Sequence, residues 1–174
     1  MFSIKGKSLY TRHDIYFKDG LDEKLINQID FQLETEGSVI VPENLAGTLI
    51  ERIKSNEFYT YRGKLVVVDD EISLKKSETD DDLYSYLIKK DAVLNISENF
   101  SVEDIKQTIG EIFLFGSVSL REGQRQAVCD KVAINEGDVE IIEDMSDNMT
   151  DNDNDSDKYA EYDIVINNAV EYSL

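Results

Sequence analysis

Phe31-Gln32-Leu33-Glu34-Thr35-Glu36-Gly37-Ser38-Val39-Ile40-Val41-Pro42-Glu43 carries one alternating apolar run into a glycine and a second run out of it, toward an acidic end suited to opening a helix. Three stretches echo it: Phe58 to Val67 around Gly63, Ile112 to Leu120 around Gly116, and Val132 to Ile141 around Gly137. Two geometries fit this pattern. A hairpin closed by Thr35-Glu36-Gly37 sets Leu33 opposite Val39 and Phe31 opposite Val41. A strand that bends at glycine and continues keeps Phe31, Leu33, Val39 and Val41 on one face, and likewise Ile112, Leu114, Val118 and Leu120. The Gly116 copy favours the bend, because a hairpin there would place Leu114 and Phe115 at an exposed turn tip.

Working outward, helical signals separate the copies. Leu21, Leu25, Ile26 and Ile29 fall at one-face spacing with acids in the first turn. Pro42 lacks a ladder donor and should close its strand. Asn44 then reads as the cap of a short helix with Leu45, Leu49, Ile50 and Ile53 on one face, weakened by Gly47. Beyond the polar stretch Lys75 to Asp82, Thr79 with Asp82 reads as a capping box for a helix presenting Leu83, Tyr84, Leu87 and Ile88. Ala92 to Ile96 reads as a repeat strand without its glycine. Ser101 with Asp104 caps a helix bearing Val102, Ile105 and Ile109, and another helix lies around Arg125 to Val132.

One strand and one short helix every 20–30 residues or so is the range of leucine-rich-repeat solenoids. Over residues 21–142 the chain resembles that family in a general way: a short apolar strand, a small turn residue, a short helix. The resemblance implies a curved parallel sheet backed by helices, often a protein-binding surface. The family's L-x-x-L-x-L-x-x-N consensus does not occur as such, so no functional residue is carried over. The expected fold is an α/β single-domain solenoid of strand–short-helix repeats with a mostly parallel sheet, against the alternative of an α+β domain with β-hairpins. The expected divisions are an N-terminal cap (1–20), the repeats (21–142), an acidic flexible loop (143–158) and a C-terminal closing strand (159–174).

Charge narrows the function classes. The 174 residues carry a net −19. Twelve of the carboxylates lie between Glu136 and Asp163, against the single lysine Lys158. Such a field repels nucleic acid and anionic membrane and attracts basic protein surfaces. No run reaches the roughly 18 apolar residues of a membrane helix, the first residues lack a signal-peptide core, and one cysteine does not make a disulfide framework. A cytoplasmic setting is expected.

Candidate chemistry is sparse. Asp151-Asn152-Asp153-Asn154-Asp155-Ser156-Asp157 resembles a calcium-loop opening, but Ser156 stands where glycine is needed and Tyr162 where glutamate is. It reads as an acidic loop. His13 has no ligand partner at a metal spacing, and Cys129 reads as a partly buried packing residue. The clusters Asp69-Asp70-Glu71 and Asp80-Asp81-Asp82 read as solvated loop faces, and Asn148-Met149-Thr150 as an unused glycosylation sequon. No phosphate loop, nucleophile elbow or zinc spacing occurs. The expectation is therefore no catalytic, cofactor or metal residues, and a non-enzymatic protein-interaction module with a basic partner. Most of Tyr59, Tyr61, Tyr84, Tyr86, Tyr159, Tyr162 and Tyr172 read as half-buried packing residues with a wet hydroxyl, whereas an exposed row of them on one sheet face would suit binding a basic partner. The alternative is an acidic nucleic-acid mimic, of the kind viruses and plasmids encode, that occupies the basic cleft of a nucleic-acid-binding protein.

Overall fold

The computed structural model describes residues 7–76 and 82–143. The acidic segment beyond Glu143, the Asp151–Asp157 motif, the closing strand 159–174 and Thr79 all lie outside them.

Every strand pairing among the described residues is parallel. The chain winds in coils of strand, corner, strand and helix. The first coil is β1 (Lys7–Thr11), β2 (Ile15–Tyr16) and α1 (Glu23–Gln28). The second is β3 (Phe31–Thr35), β4 (Ser38–Pro42) and a 3-10 turn running into α2 (Ala46–Ile50). β5 (Ile53–Lys54) and β6 (Glu57–Tyr61) complete a first stack, with sheets β1-β3-β5 and β2-β4-β6.

A second stack begins with β7 (Lys64–Val68) and β8 (Glu71–Leu74). β9 (Tyr84–Ile88), β10 (Val93–Ile96) and α3 (Val102–Thr108) follow. Then come β11 (Ile109–Leu114), β12 (Ser117–Leu120) and α4 (Arg125–Cys129), and last β13 (Val132–Asn135) and β14 (Asp138–Ile141). Its sheets are β13-β11-β9-β7 and β14-β12-β10-β8.

The hairpin alternative is thereby excluded. Leu33 pairs with Leu9 and Ile53, and Val39 with Ile15 and Phe58, never with each other. The bend keeps its promise on both copies: Phe31, Leu33, Val39 and Val41 share the core of the first stack, and Ile112, Leu114, Val118 and Leu120 that of the second. Stacking of corners explains the glycines. A Cβ on Gly116 would overlap the carbonyl oxygens of Lys89 and Ala92 one coil back, and one on Gly137 would overlap the carbonyl of Gly116. Gly37 is crowded in the same way by His13 and Asp14.

Gly63 departs from this set. It sits between β6 and β7, where the chain leaves one stack for the other, with φ at +72° and Leu83 against it. Phe58 to Val68 is thus two strands in two sheets rather than one repeat strand. The corner without glycine, Lys89 to Ala92, takes its left-handed residue from Asp91 (φ 69°).

Several local expectations are corrected. Tyr84 to Ile88 is a strand, not a helix, because β7 and β11 flank it on both sides and its alternating residues serve two cores. Asn44 does not cap α2; it lies inside the 3-10 turn preceding it, and no side chain caps that turn. Cys129 is exposed, because α4 turns Ala127 and Val128 to the core and leaves the next position outside. The segment 1–20, expected as a cap, supplies the first coil itself from residue 7, paired in register with the second. Of α1's apolar residues only Ile26 is buried; Leu21, Leu25 and Ile29 are exposed. The Ser101–Asp104 capping box forms as read, with the Asp104 amide donating to Ser101 Oγ (3.1 Å) and the Ser101 amide to Asp104 Oδ2 (2.9 Å).

A third apolar layer joins the stacks. Ile40, Tyr59 and Tyr61 from the outer face of sheet β2-β4-β6 meet Leu65, Val67, Leu87, Phe113 and Ile134 from that of sheet β13-β11-β9-β7. Phe113 is wholly buried, and the Tyr59 ring meets it edge-on at 6.3 Å between centroids. Strands buried on both faces lose polar alternation, which is why Val39-Ile40-Val41 and Ile112-Phe113-Leu114 are unbroken apolar runs.

Candidate functional site

Where the shared layer opens to solvent, a crevice of about 680 Å3 remains between the stacks. One wall comes from the first coil: Asp14 at its corner and Tyr16 on β2, in register with Ile40 of the buried layer. The other comes from successive corners of the second stack. These give Lys89 and Lys90 after β9, Phe115 after β11 and Glu136 after β13, with Leu87 as the floor between. The ladder fixes these corners. The Phe115 amide donates to the Ile88 carbonyl (3.0 Å) and the Glu136 amide to that of Leu114 (2.8 Å).

Electrostatics divide the site. Lys89 is held by Asp69 at 2.5 Å, and that hydrogen bond raises its pKa, so it stays charged and locally neutralised. Asp14 accepts the Ser38 amide at 2.7 Å, which fixes one carboxylate oxygen to the backbone of the next coil. Tyr59 donates to Glu57 Oε2 (2.9 Å), and that bond, with burial and the nearby Glu57 and Glu136 charges, raises its pKa. The crevice therefore offers an apolar, aromatic floor bordered by the carboxylates of Asp14 and Glu136 and by Lys89 and Lys90. No nucleophile–base pair is assembled in it. Such a groove suits holding a chain segment by shape and charge.

The residues singled out from sequence are dispersed. His13 uses its backbone: its carbonyl accepts from Thr35 Oγ1 at 2.7 Å. Of the acidic clusters, Asp69 binds Lys89, Glu71 accepts from Asn95, and Asp82 pairs with Lys64. Among the described residues no group of three or more His, Cys, Asp or Glu could hold a metal ion. The described tyrosines of the candidate row do not form an exposed surface, and Tyr159, Tyr162 and Tyr172 lie outside the described residues. Tyr59 and Tyr61 belong to the layer between stacks, and Tyr84 and Tyr86 pack on the core of the second. Tyr10 and Tyr16 are the tyrosines well exposed among the described residues, and sequence reading singled out neither.

The outer face of sheet β14-β12-β10-β8 carries mostly polar side chains. Its rows read Glu71–Val93–Ser117–Asp138 and Ser73–Asn95–Ser119–Glu140. Carboxylates stand at its edges, with Glu71 and Asp138 three strand spacings apart, about 14 Å. The chain matches no protein-family model, no curated protein and no solved structure. Among the described residues, no helix is long and apolar enough to cross a membrane.

Proposed function

We propose that the chain is a non-enzymatic interaction module that holds a basic segment of another protein in the crevice between its stacks. The partner's apolar anchor lies against Tyr16, Leu87 and Phe115, and its cations face Asp14 and Glu136. One observation carries this reading: a concave apolar floor with Asp14 on one wall and Glu136 on the other, where Asp69 already neutralises Lys89 and Lys90 is the remaining cation of the lining. The −19 charge supports it by drawing cationic partners in and keeping nucleic acid and anionic membranes away. The resemblance to leucine-rich-repeat solenoids points the same way, since those folds commonly present protein-binding surfaces. A cytoplasmic setting belongs to the same proposal.

The decoy reading gains less support. A mimic needs carboxylates in dense rows, because duplex phosphates follow one another at a rise of about 3.4 Å per strand. On the outer face of sheet β14-β12-β10-β8, serines, a valine and an asparagine separate them. Fluorescence anisotropy with a labelled Arg/Lys-rich peptide bearing one phenylalanine tests the proposal. Binding should weaken about tenfold in Asp14→Lys with Glu136→Lys, and also when the phenylalanine becomes serine. Equal affinity in all three pairings would mean diffuse attraction to an acidic chain, and the crevice would lose its role.

A further inference from the structure

The first stack ends on an open core. Eight large hydrophobic residues are exposed among the described residues, and six of them belong to the first coil: Leu9, Tyr10, Tyr16, Leu21, Leu25 and Ile29. Leu9 stands in one row with Leu33 and Ile53, yet it is 56% exposed where Ile53 is 7%, because among the described residues no strand lies on its other side. α1 tells the same story by its rotation. Glu23 accepts from Thr48 and Asn27 from Arg52, so that side of the helix faces the second coil. Leu25 lies two residues, about 200°, from each of them. It therefore faces out of the end of the stack. Among the described residues, β1 adds an edge of five residues paired on one side only. At the far end of the second stack, Ile142 is the one exposed large hydrophobic among the described residues.

Charge says what can approach. Residues 7–29 carry four cations (Lys7, Arg12, Lys18, Lys24) and four carboxylates (Asp14, Asp19, Asp22, Glu23), so this coil is neutral in a chain of −19. Two copies of a chain of −19 repel each other overall, and a neutral face adds nothing to that repulsion. We propose that the occupant is a second copy of this chain, packed end to end about a two-fold axis. The two β1 edges pair antiparallel and Leu9, Leu21 and Leu25 close over their equivalents. A two-fold contact needs a self-complementary patch, which a neutral apolar face with an open strand edge provides. It goes beyond the crevice reading and leaves Asp14 and Glu136 free for a partner.

Sedimentation velocity of the full chain tests this. Wild type should sediment as a dimer of the 19.9 kDa chain at tens of micromolar. Leu25→Glu should weaken the dimer about 100-fold, since each contact contains the change twice. Ile50→Glu, similarly exposed but outside the first coil, should leave it intact. Affinity should rise as salt goes from about 20 to about 500 mM, because screening removes repulsion between the acidic bodies. If Leu25→Glu melts non-cooperatively, Leu21→Glu, outside the helix, takes its place. A wild type that stays monomeric at about 200 μM overturns the proposal, as it would if residues 1–6 covered the face. A dimer indifferent to both variants overturns it equally.

Discussion

Arg62 gives both its backbone amide and its guanidinium to one carboxylate, that of Glu111, at 2.8 Å each and across 49 positions of sequence. Arg62 ends the first stack and Glu111 lies on β11, in the second. The register of β11 against β9 shifts between Ile109 and Ile112, so Glu111 sits in an irregularity of the strand, where a bulge re-aims side chains. The buried Ser85 hydroxyl lies within 2.8 Å of the Arg62 carbonyl and 3.1 Å of Glu111, and accepts the Glu111 amide at 3.0 Å.

The two halves of this contact differ in worth. The Arg62 side chain is half exposed, so the ion pair alone contributes no more than about 1 kcal/mol. Without Glu111 the Arg62 amide would also lose its acceptor, whereas the Ser85 hydroxyl would keep the Arg62 carbonyl. Glu111→Ala should therefore lower stability by about 1–3 kcal/mol, and Arg62→Ala by less. Chemical denaturation of both variants and their double mutant checks the order. Equal losses would mean that the ion pair dominates.

The corner glycines make a sharper contrast. Gly116→Val must displace the backbone of the preceding coil and should cost about 3 kcal/mol or more. Gly47 lies in α2 with open space at its Cβ position, so Gly47→Ala should stabilise by about 0.5–1 kcal/mol. Thermal melts showing the same sign for both would contradict stacked corners.

Tyr61 donates to the Phe17 carbonyl at 2.8 Å within the first stack, and burial, with the nearby Asp19 charge, pushes its pKa well above the usual 10. The sign follows from linkage: the folded state keeps this phenol protonated while the unfolded chain ionises. Its stability is intact below pH 10 and is lost as pH climbs from there toward the raised folded value. Tyr61→Phe should cost about 1–2 kcal/mol at neutral pH and flatten the alkaline decline. Unchanged slopes above pH 10 would show that Tyr61 ionises equally in both states.

Much of a coil was legible in the sequence because its information is local. Ile112, Leu114, Val118 and Leu120 alternate on either side of Gly116 and share one core. The joint between stacks was not legible. Gly63 looks like Gly37 in its neighbourhood, and nothing nearby says that the chain changes stack there. Tyr84, Leu87 and Ile88 fit helical spacing as well as a strand, and two flanking strands decided the matter. The crevice was hidden for the same reason, since Asp14, Tyr16, Lys89 and Glu136 meet only through packing of stack on stack. A signal did exist. The unbroken runs at Val39-Ile40-Val41 and Ile112-Phe113-Leu114 announce sheets covered on both faces, a layer beyond a single solenoid.

That layer is the foundation of the crevice, and nuclear Overhauser spectroscopy measures it directly. With Phe and Tyr rings selectively labelled, the account predicts cross-peaks between Phe113 and Tyr59, whose ring centroids lie 6.3 Å apart. Contacts of Phe113 confined to its own stack, with none to Tyr59, would contradict the joined architecture and remove the crevice with it.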